Sequence, residues 1–363
     1  INLENIEHLR LFREEISLDD FEKIIQIKLQ QKIVPGETLI FIDEIQNSPS
    51  LIKLLRFFHE ERPDIHVMAA GSLFQAKIER EGLSLPVGRI EYAYLYPLDF
   101  FEYLSAQGKT ELLNFLKSVV ADDRIPEAIH QEGIRLFYEY AMIGGMPEVV
   151  QSYSENPNIN SLRSVYSSLF TSYSEDVYKY SSLAKTKYLS YVIEQSPLFA
   201  GTLITYEKFG GSNFRSREMA EAFDTLEKAM LVYQVHATRS TGIPLIKQRK
   251  RPKKLLFLDV GLVNHRMDIH DEFINLDDLS SLYRGRIAEQ VVGQNIIAQY
   301  MNQLPILLYW AKGKREGSAE VDYCFQAGGN VLGIEVKAGG AGRLRSLYSF
   351  ADDVKKYELI RIY

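Results

Sequence analysis

Near residue 40, four apolar residues run directly into two adjacent carboxylates, in the sequence Leu39-Ile40-Phe41-Ile42-Asp43-Glu44. Such a run is typical of a buried parallel strand. Ligands of open α/β sheets bind at the carboxyl ends of the strands, which is where this strand places its two acids. In nucleotide-hydrolysing enzymes, a strand of this kind holds magnesium and polarises water. The pattern favours Asp43 as a magnesium ligand and Glu44 as the residue that orients the attacking water, and the alternative is an acidic strand terminus or helix cap.

The segment after this strand predicts a neighbouring parallel strand. Ser48 and Pro49 suit the start of a helix, and the apolar run from His66 to Ala70 follows it. A strand, a helix and a second strand of this length imply parallel pairing with a right-handed crossover. At the end of the second strand, Ser72 is a candidate for contacting a γ-phosphate. Arg89 is a candidate for compensating phosphate charge, with a surface ion pair as the alternative.

Nucleotide chemistry of this kind also needs a Gly-x-x-x-x-Gly-Lys-Ser/Thr phosphate loop before the acidic strand. Residues 1–38 contain no such motif. Without the loop lysine and its backbone N–H groups, β- and γ-phosphate binding should be weak. We interpret the chain as a fragment or a truncated product of a longer ATPase.

Composition limits the remaining choices. A chain of 363 residues predicts two or three domains. The net charge of −6 gives no general attraction to nucleic acid, so DNA binding would need a local basic patch. A single cysteine fits a reducing compartment, and no apolar run is long enough for a membrane span. We therefore expect a cytoplasmic protein with no membrane partner.

A basic cluster between two strand-like segments is the candidate DNA contact. Helices followed by a two-stranded ribbon indicate a winged-helix arrangement, with the cluster along its wing, where it could neutralise phosphates. Arg215 and Arg217 lie at the start of the preceding helix, which favours a groove-facing end. The alternative is a solvated hairpin tip. The cluster comprises Lys247, Arg249, Lys250, Arg251, Lys253 and Lys254.

A third constellation lies in the last ninety residues. Ala319–Phe325 and Val331–Val336 read as two strands joined by a glycine turn. Two carboxylates in such a hairpin, Asp322 and Glu335, can hold a divalent metal, and a lysine can stabilise the attacking group. The alternative is an amphipathic hairpin with a wet charged face. The four candidate residues are Glu289, Asp322, Glu335 and Lys337.

Together these motifs resemble prokaryotic AAA-family ATPases with an AAA-14 type core and a C-terminal domain of unknown function 4143, which joins a winged-helix segment to a PD-(D/E)xK nuclease-like fold. The resemblance implies ATP and Mg²⁺ as cofactors of the complete protein, and catalytic roles for Asp43, Glu44, Ser72 and Arg89. It rests on motifs along nearly the whole chain: Leu39–Gln46, Ala70–Ser72, Pro86–Arg89, Leu95–Leu98, Gly144–Glu148, Leu258–Leu262, Arg284–Gly285 with Glu289, and Glu335–Lys337.

We therefore predict an α/β protein of three parts. Residues 1–107 form a partial P-loop ATPase parallel sheet, residues 108–270 a helical and winged-helix domain, and residues 271–363 a small α/β nuclease-like domain. The predicted function is that of an ATP-binding AAA-type switch acting with DNA, a protein partner or further copies of itself. One alternative is a metal-dependent nuclease with Asp322 and Glu335 as metal ligands, and another is a non-catalytic binding module.

The missing phosphate loop generates a direct prediction. Residues 1–363 purified alone should release inorganic phosphate from ATP no faster than a buffer blank, because the main phosphate contacts are absent from this sequence. A phosphate-release assay with Mg²⁺ checks this. Robust turnover that Glu44→Gln abolishes would contradict it.

Overall fold

The computed structural model describes residues 1–71, 88–120, 123–179, 183–269, 285–313, 319–337 and 344–362. Contacts divide the chain into two compact units, Ile1–Ala93 and Tyr94–Tyr363. Both helices and sheets are present, so the fold is mixed α/β, as predicted. The predicted boundaries at residues 107 and 270 stay predictions. Among the described helices, none combines the length and apolar content needed to cross a membrane.

The first unit folds around a short parallel sheet. Ser48 begins the helix before the second strand, because its side chain accepts a hydrogen bond from the Leu51 N–H and Pro49 follows it. Phe12, Phe21 and Phe58 pack together beneath the sheet. The elements are α1 (Ile6–Leu11), α2 (Leu18–Lys28), β1 (Leu39–Ile42), α3 (Pro49–Glu61) and β2 (His66–Ala69).

The predicted parallel pairing of β1 and β2 is confirmed. Ile42 lies opposite Ala69 in a parallel register. On the other side of β1, the Asp43 N–H donates to the Ile1 carbonyl at 2.8 Å and the Leu3 N–H donates to the Asp43 carbonyl at 3.1 Å. Backbone partners therefore flank the carboxyl end of β1 on both sides.

The expectation that β1 is buried on both faces is wrong. Ile40 and Ile42 are buried, whereas Leu39 is 56% and Phe41 44% exposed. Met68 of β2 is also exposed. Because side chains alternate across a strand, one face of the sheet packs on the core of the unit and the other faces outward.

The second unit begins with a helical stretch and continues into a sheet. Its described α-helices are α4 (Phe100–Ala106), α5 (Thr110–Ser118), α6 (Glu127–Ile143), α7 (Pro147–Glu155), α8 (Arg163–Lys179), α9 (Leu183–Gln195), α10 (Ser216–Lys228), α11 (Val260–Arg266), α12 (Arg286–Ala298) and α13 (Arg345–Asp353). The strands are β3 (Thr202–Ile204), β4 (Val232–Thr238), β5 (Lys253–Phe257), β6 (Leu308–Ala311), β7 (Glu320–Ala327), β8 (Asn330–Val336) and β9 (Tyr357–Ile362).

These strands form one seven-stranded sheet in the order β3-β5-β4-β6-β7-β8-β9. The β3–β5, β5–β4, β6–β7 and β7–β8 pairs are antiparallel, and the β4–β6 and β8–β9 pairs are parallel. The predicted hairpin turn is confirmed, because Gly328 and Gly329 join β7 to β8 with positive φ angles of 55° and 83°. The sheet thus unites strands from the predicted second and third domains.

The core of the second unit lies on both faces of this sheet. One cluster includes Leu256, Tyr323 and Val292, the last of which lies on α12. The other includes Trp310, Cys324 and Phe350, the last of which lies on α13. Cys324 is therefore a core residue, and burial raises the pKa of its thiol.

A buried carboxylate joins three parts of this unit just after β5. The Asp259 Oδ1 atom accepts from the N–H groups of Gly261 and Leu262 at 2.9 and 3.3 Å, which caps α11. Its Oδ2 atom accepts from the Gly145 N–H at 2.7 Å and from Gln294 Nε2 at 3.0 Å. Burial raises the pKa of Asp259, and the four donated hydrogen bonds oppose that shift.

The Gly144-Gly145 pair of the sequence motif makes this junction possible. Gly144 has a φ angle of 77°, and a Cβ atom there would stand 2.1 Å from Asp259 Oδ1. A Cβ atom on Gly145 would stand 2.0 Å from the Leu98 carbonyl oxygen. The motif is therefore explained by packing around Asp259 and needs no catalytic role.

We expect Asp259→Asn to destabilise the protein by roughly 2–4 kcal/mol, because an amide leaves two buried donors facing an NH₂ group. Urea unfolding measures this. Asp268→Asn is the matched control, since the Asp268 side chain is 81% exposed and should change stability by less than about 0.5 kcal/mol. Equal stability of the two variants would refute the role of Asp259.

Candidate functional site

The carboxyl end of β1 holds the two acids in an unusual backbone geometry. Asp43 Oδ1 accepts from the Glu44 N–H at 3.1 Å. Glu44 has φ 54° and ψ 43°, the left-handed conformation that non-glycine residues rarely adopt. The backbone then passes beside β2, because the Ile45 N–H donates to the Ala70 carbonyl at 3.0 Å. Backbone strain of this kind is concentrated at functional sites.

Gln46 holds the Glu44 side chain. Its Nε2 atom donates a hydrogen bond to Glu44 Oε2. Gln46 is completely buried, and its Oε1 atom has no hydrogen-bond partner among the described residues. A buried amide that directs one donor at a carboxylate fixes the direction in which that carboxylate points.

The other two predicted nucleotide contacts cannot be placed at this end of the sheet. Ser72 lies outside the described residues. Arg89 pairs with Glu60 at 2.6 Å, and Glu60 also pairs with Arg56. This arrangement is the surface ion pair that was the alternative interpretation of Arg89.

The structure corrects the prediction that all six residues of the basic cluster lie along a wing where they could contact DNA. Lys253 and Lys254 belong to β5 and are 8% and 2% exposed. Arg251 is half-buried and donates to the carbonyl groups of Ala311 and Lys312 at 2.9 and 2.8 Å. These three side chains are held by the fold, so they are not available to a phosphate backbone.

Three basic residues of the cluster remain exposed. Lys247, Arg249 and Lys250 lie on the β4–β5 connection, which Gln248 ties back to Ala237 through a backbone hydrogen bond of 2.7 Å. At the start of α10, Arg215 and Arg217 are also exposed, and Arg217 forms an ion pair with Glu221 at 3.4 Å.

The C-terminal acids meet around a lysine that was predicted to bind DNA. Lys254 Nζ lies 2.6 Å from Glu289 Oε2 and 3.0 Å from Asp322 Oδ1. It also donates to the Asp322 carbonyl at 3.3 Å. The second carboxylate oxygen of Asp322 accepts from the Val336 N–H at 2.9 Å. Sequence analysis had placed Glu289 and Asp322 in one site, but not Lys254.

Glu335 and Lys337 form a separate pair. Their side chains share a face of the sheet, and Lys337 Nζ lies 3.0 Å from Glu335 Oε1. Glu335 is buried, and its Oε2 atom lacks a hydrogen-bond partner in the described part of the chain. Within the same residues, no grouping of three His, Cys, Asp or Glu side chains could hold a metal ion. The predicted metal site of Asp322 and Glu335 therefore finds no support among the described residues.

Burial and neighbouring charges have opposite effects on the pKa values of Lys254 and Glu289. Burial would lower the pKa of Lys254, but the carboxylates of Asp322 and Glu289 outweigh it and raise that pKa. Burial raises the pKa of Glu289, and the Lys254 ammonium opposes that shift. Lys254 is thus a buried cation whose charge is stabilised by the carboxylates of Asp322 and Glu289.

Sequence reasoning missed three residues that organise these sites: Gln46, Lys254 and Asp259. Lys254 was assigned to a wet wing because it lies in a charge run, although it stands two residues before the buried Leu256 and so shares its strand face. That shared face was the available signal for burial. Asp259 carries the local signal of a helix N-cap, but nothing near it in the sequence indicates Gly145 and Gln294 as its other donors.

Comparison with protein families finds three segments of the chain that match a family model. Residues 1–104 match an AAA domain, residues 134–272 match a domain of unknown function (DUF8612), and residues 284–362 match another domain of unknown function (DUF4143). No curated protein and no solved structure matches the chain. The N-terminal part is accordingly similar to ATPase-like AAA domains, a family that generally uses ATP and Mg²⁺.

Proposed function

We propose that this protein is an ATP-dependent switch of the AAA type. One observation carries the proposal: within the part that matches an AAA domain, Asp43 and Glu44 follow a strand that has parallel backbone partners on both sides. Carboxylates at the carboxyl end of such a strand are placed where α/β sheets bind nucleotides.

The donor set at this end of the sheet fits Mg²⁺, which prefers carboxylate oxygens and retained water. When bound, Mg²⁺ neutralises developing charge on the phosphates. Asp43 is the residue to hold it, directly or through water. Glu44 is the residue to orient a water molecule, and Gln46 keeps the Glu44 carboxylate in one direction through its buried amide.

A nucleotide titration tests this proposal. Mg²⁺ should tighten the weak binding of a fluorescent ATP analogue to residues 1–363. Asp43→Asn should lower the affinity measured with Mg²⁺ roughly tenfold, because the metal ligand is lost. Glu44→Gln should leave binding intact. Asp64→Asn is the matched control, since Asp64 is exposed and precedes β2 at the opposite end of the sheet. An unchanged Mg²⁺ effect in Asp43→Asn would refute the proposal.

We further propose that the second unit contacts DNA through a winged-helix arrangement. The order β3-β5-β4, with α10 before β4 and a long β4–β5 connection, favours a helix and a wing on one module. Lys247, Arg249 and Lys250 supply exposed charge on that wing, and Arg215 and Arg217 supply it at the helix start. Such contacts would be made to phosphates and would not select a base sequence.

Salt dependence tests the DNA proposal. Removing three phosphate contacts with Lys247→Ala, Arg249→Ala and Lys250→Ala should make the slope of log affinity against log salt less negative by about 2.7, at roughly 0.9 per contact. Fluorescence anisotropy with duplexes of unrelated sequence measures the slope. The control carries Lys117→Ala, Arg124→Ala and Lys355→Ala, an equal charge change at exposed positions. Identical slopes for both triple variants would contradict the proposal and indicate that the wing is a solvated hairpin tip without DNA contact.

A further inference from the structure

We infer that Lys254 is the resident cation of the C-terminal carboxylate centre, occupying the position between Glu289 and Asp322 that a divalent cation takes in metal-dependent enzymes. The centre is therefore metal-independent. This assignment is separate from the proposed ATP and DNA functions, because it concerns different residues and neither requires it.

The geometry of the ammonium supports the inference. A lysine ammonium has three N–H donors. Here it has three acceptors: Glu289 Oε2 at 2.6 Å, Asp322 Oδ1 at 3.0 Å and the Asp322 carbonyl oxygen at 3.3 Å. Its nitrogen also lies 5.1 Å from the centroid of the Tyr323 ring, within cation–π range. The donor capacity of Lys254 is thus fully used inside the protein.

The acids are likewise committed to this arrangement. Asp322 gives Oδ1 to the ammonium and Oδ2 to the Val336 N–H. The Glu289 backbone carbonyl accepts from the Tyr323 hydroxyl at 2.6 Å, which fixes the first turn of α12 beside β7. A metal ion bound between these acids would compete with the ammonium for Glu289 Oε2 and Asp322 Oδ1.

Burial favours a compensating charge at this position. The side chains of Glu289 and Asp322 are only 18% and 12% exposed, and that of Lys254 is 2% exposed. Two carboxylates this poorly hydrated repel one another unless a positive charge lies between them or one of them is protonated, and here Lys254 supplies the positive charge. Lys254 comes from β5, whereas Glu289 comes from α12 and Asp322 from β7, so the cation also ties three elements together.

Thermal unfolding in EDTA and in millimolar Mn²⁺ tests the inference, with Asp43→Asn in every protein so that the N-terminal acids do not contribute. The parent should unfold at the same temperature in both buffers. Lys254→Met should lose roughly 10 °C in EDTA, because its buried carboxylates are uncompensated, and Mn²⁺ should restore most of the loss. The variant that combines Lys254→Met, Glu289→Gln and Asp322→Asn should unfold at the same temperature as the parent in both buffers.

The combined neutral variant keeps the test decisive if Lys254→Met alone does not fold. Folding of the neutral variant would then support charge compensation, and its failure to fold would overturn the inference by assigning Lys254 a packing role. The inference is also overturned if Mn²⁺ stabilises the parent, if Mn²⁺ fails to restore a folded but destabilised Lys254→Met, or if Lys254→Met is as stable as the parent in EDTA. A plasmid assay adds a final outcome: Mn²⁺-dependent cleavage by the parent that Asp322→Asn abolishes would refute a metal-independent centre.

Discussion

The second unit depends on one strand, β5, in which every residue from Lys253 to Phe257 is buried. Charged residues nevertheless begin this strand, at Lys253 and Lys254, and follow it, at Asp259. Lys254 needs anions, and Asp259, just beyond the strand, needs donors, because neither charge is hydrated. Helix α12 serves both: Glu289 binds the lysine and Gln294 donates to the aspartate. Between them, the Gln290 amide accepts from the Phe257 N–H and donates to the Phe257 carbonyl. One helix face therefore fixes β5 along its length.

This dependence explains how the family-matched segments come to share one structure. Asp259 lies in the part that matches DUF8612 and Gln294 in the part that matches DUF4143. Their contact is buried, as is the contact of Lys254 with Asp322, which is 68 residues away in the chain. The β4–β6 pairing continues the sheet between the same two segments. Buried polar contacts and a shared sheet resist the independent motion expected of domains joined only by a linker.

What could be predicted from the sequence was mainly local. The apolar run and its capped helix predicted β1, α3 and β2 in their observed pairing, and Gly328-Gly329 predicted the β7–β8 turn. The outward face of β1 was missed because an apolar run does not reveal which face is covered. Buried charges were missed for a different reason: their partners are distant in sequence. The charge run looks solvated until Glu289 and Asp322, the acids that pair with Lys254, can be placed in space.

The C-terminal centre shows why a carboxylate pattern does not by itself define a chemistry. Asp322, Glu335 and Lys337 have the spacing of a metal-dependent nuclease, yet the acids divide between two lysines: Asp322 with Lys254, and Glu335 with Lys337. A metal-dependent nuclease must leave its carboxylates open to a metal and a phosphate. Here the ammonium of Lys254 lies against the Asp322 carboxylate instead. The same side chains that would bind metal instead hold β5 against α12 and β7. Function must be argued from such contacts and not from the fold. The sites proposed here for ligand contact are therefore the strand end at Asp43 and Glu44 and the exposed charges of Lys247, Arg249 and Lys250.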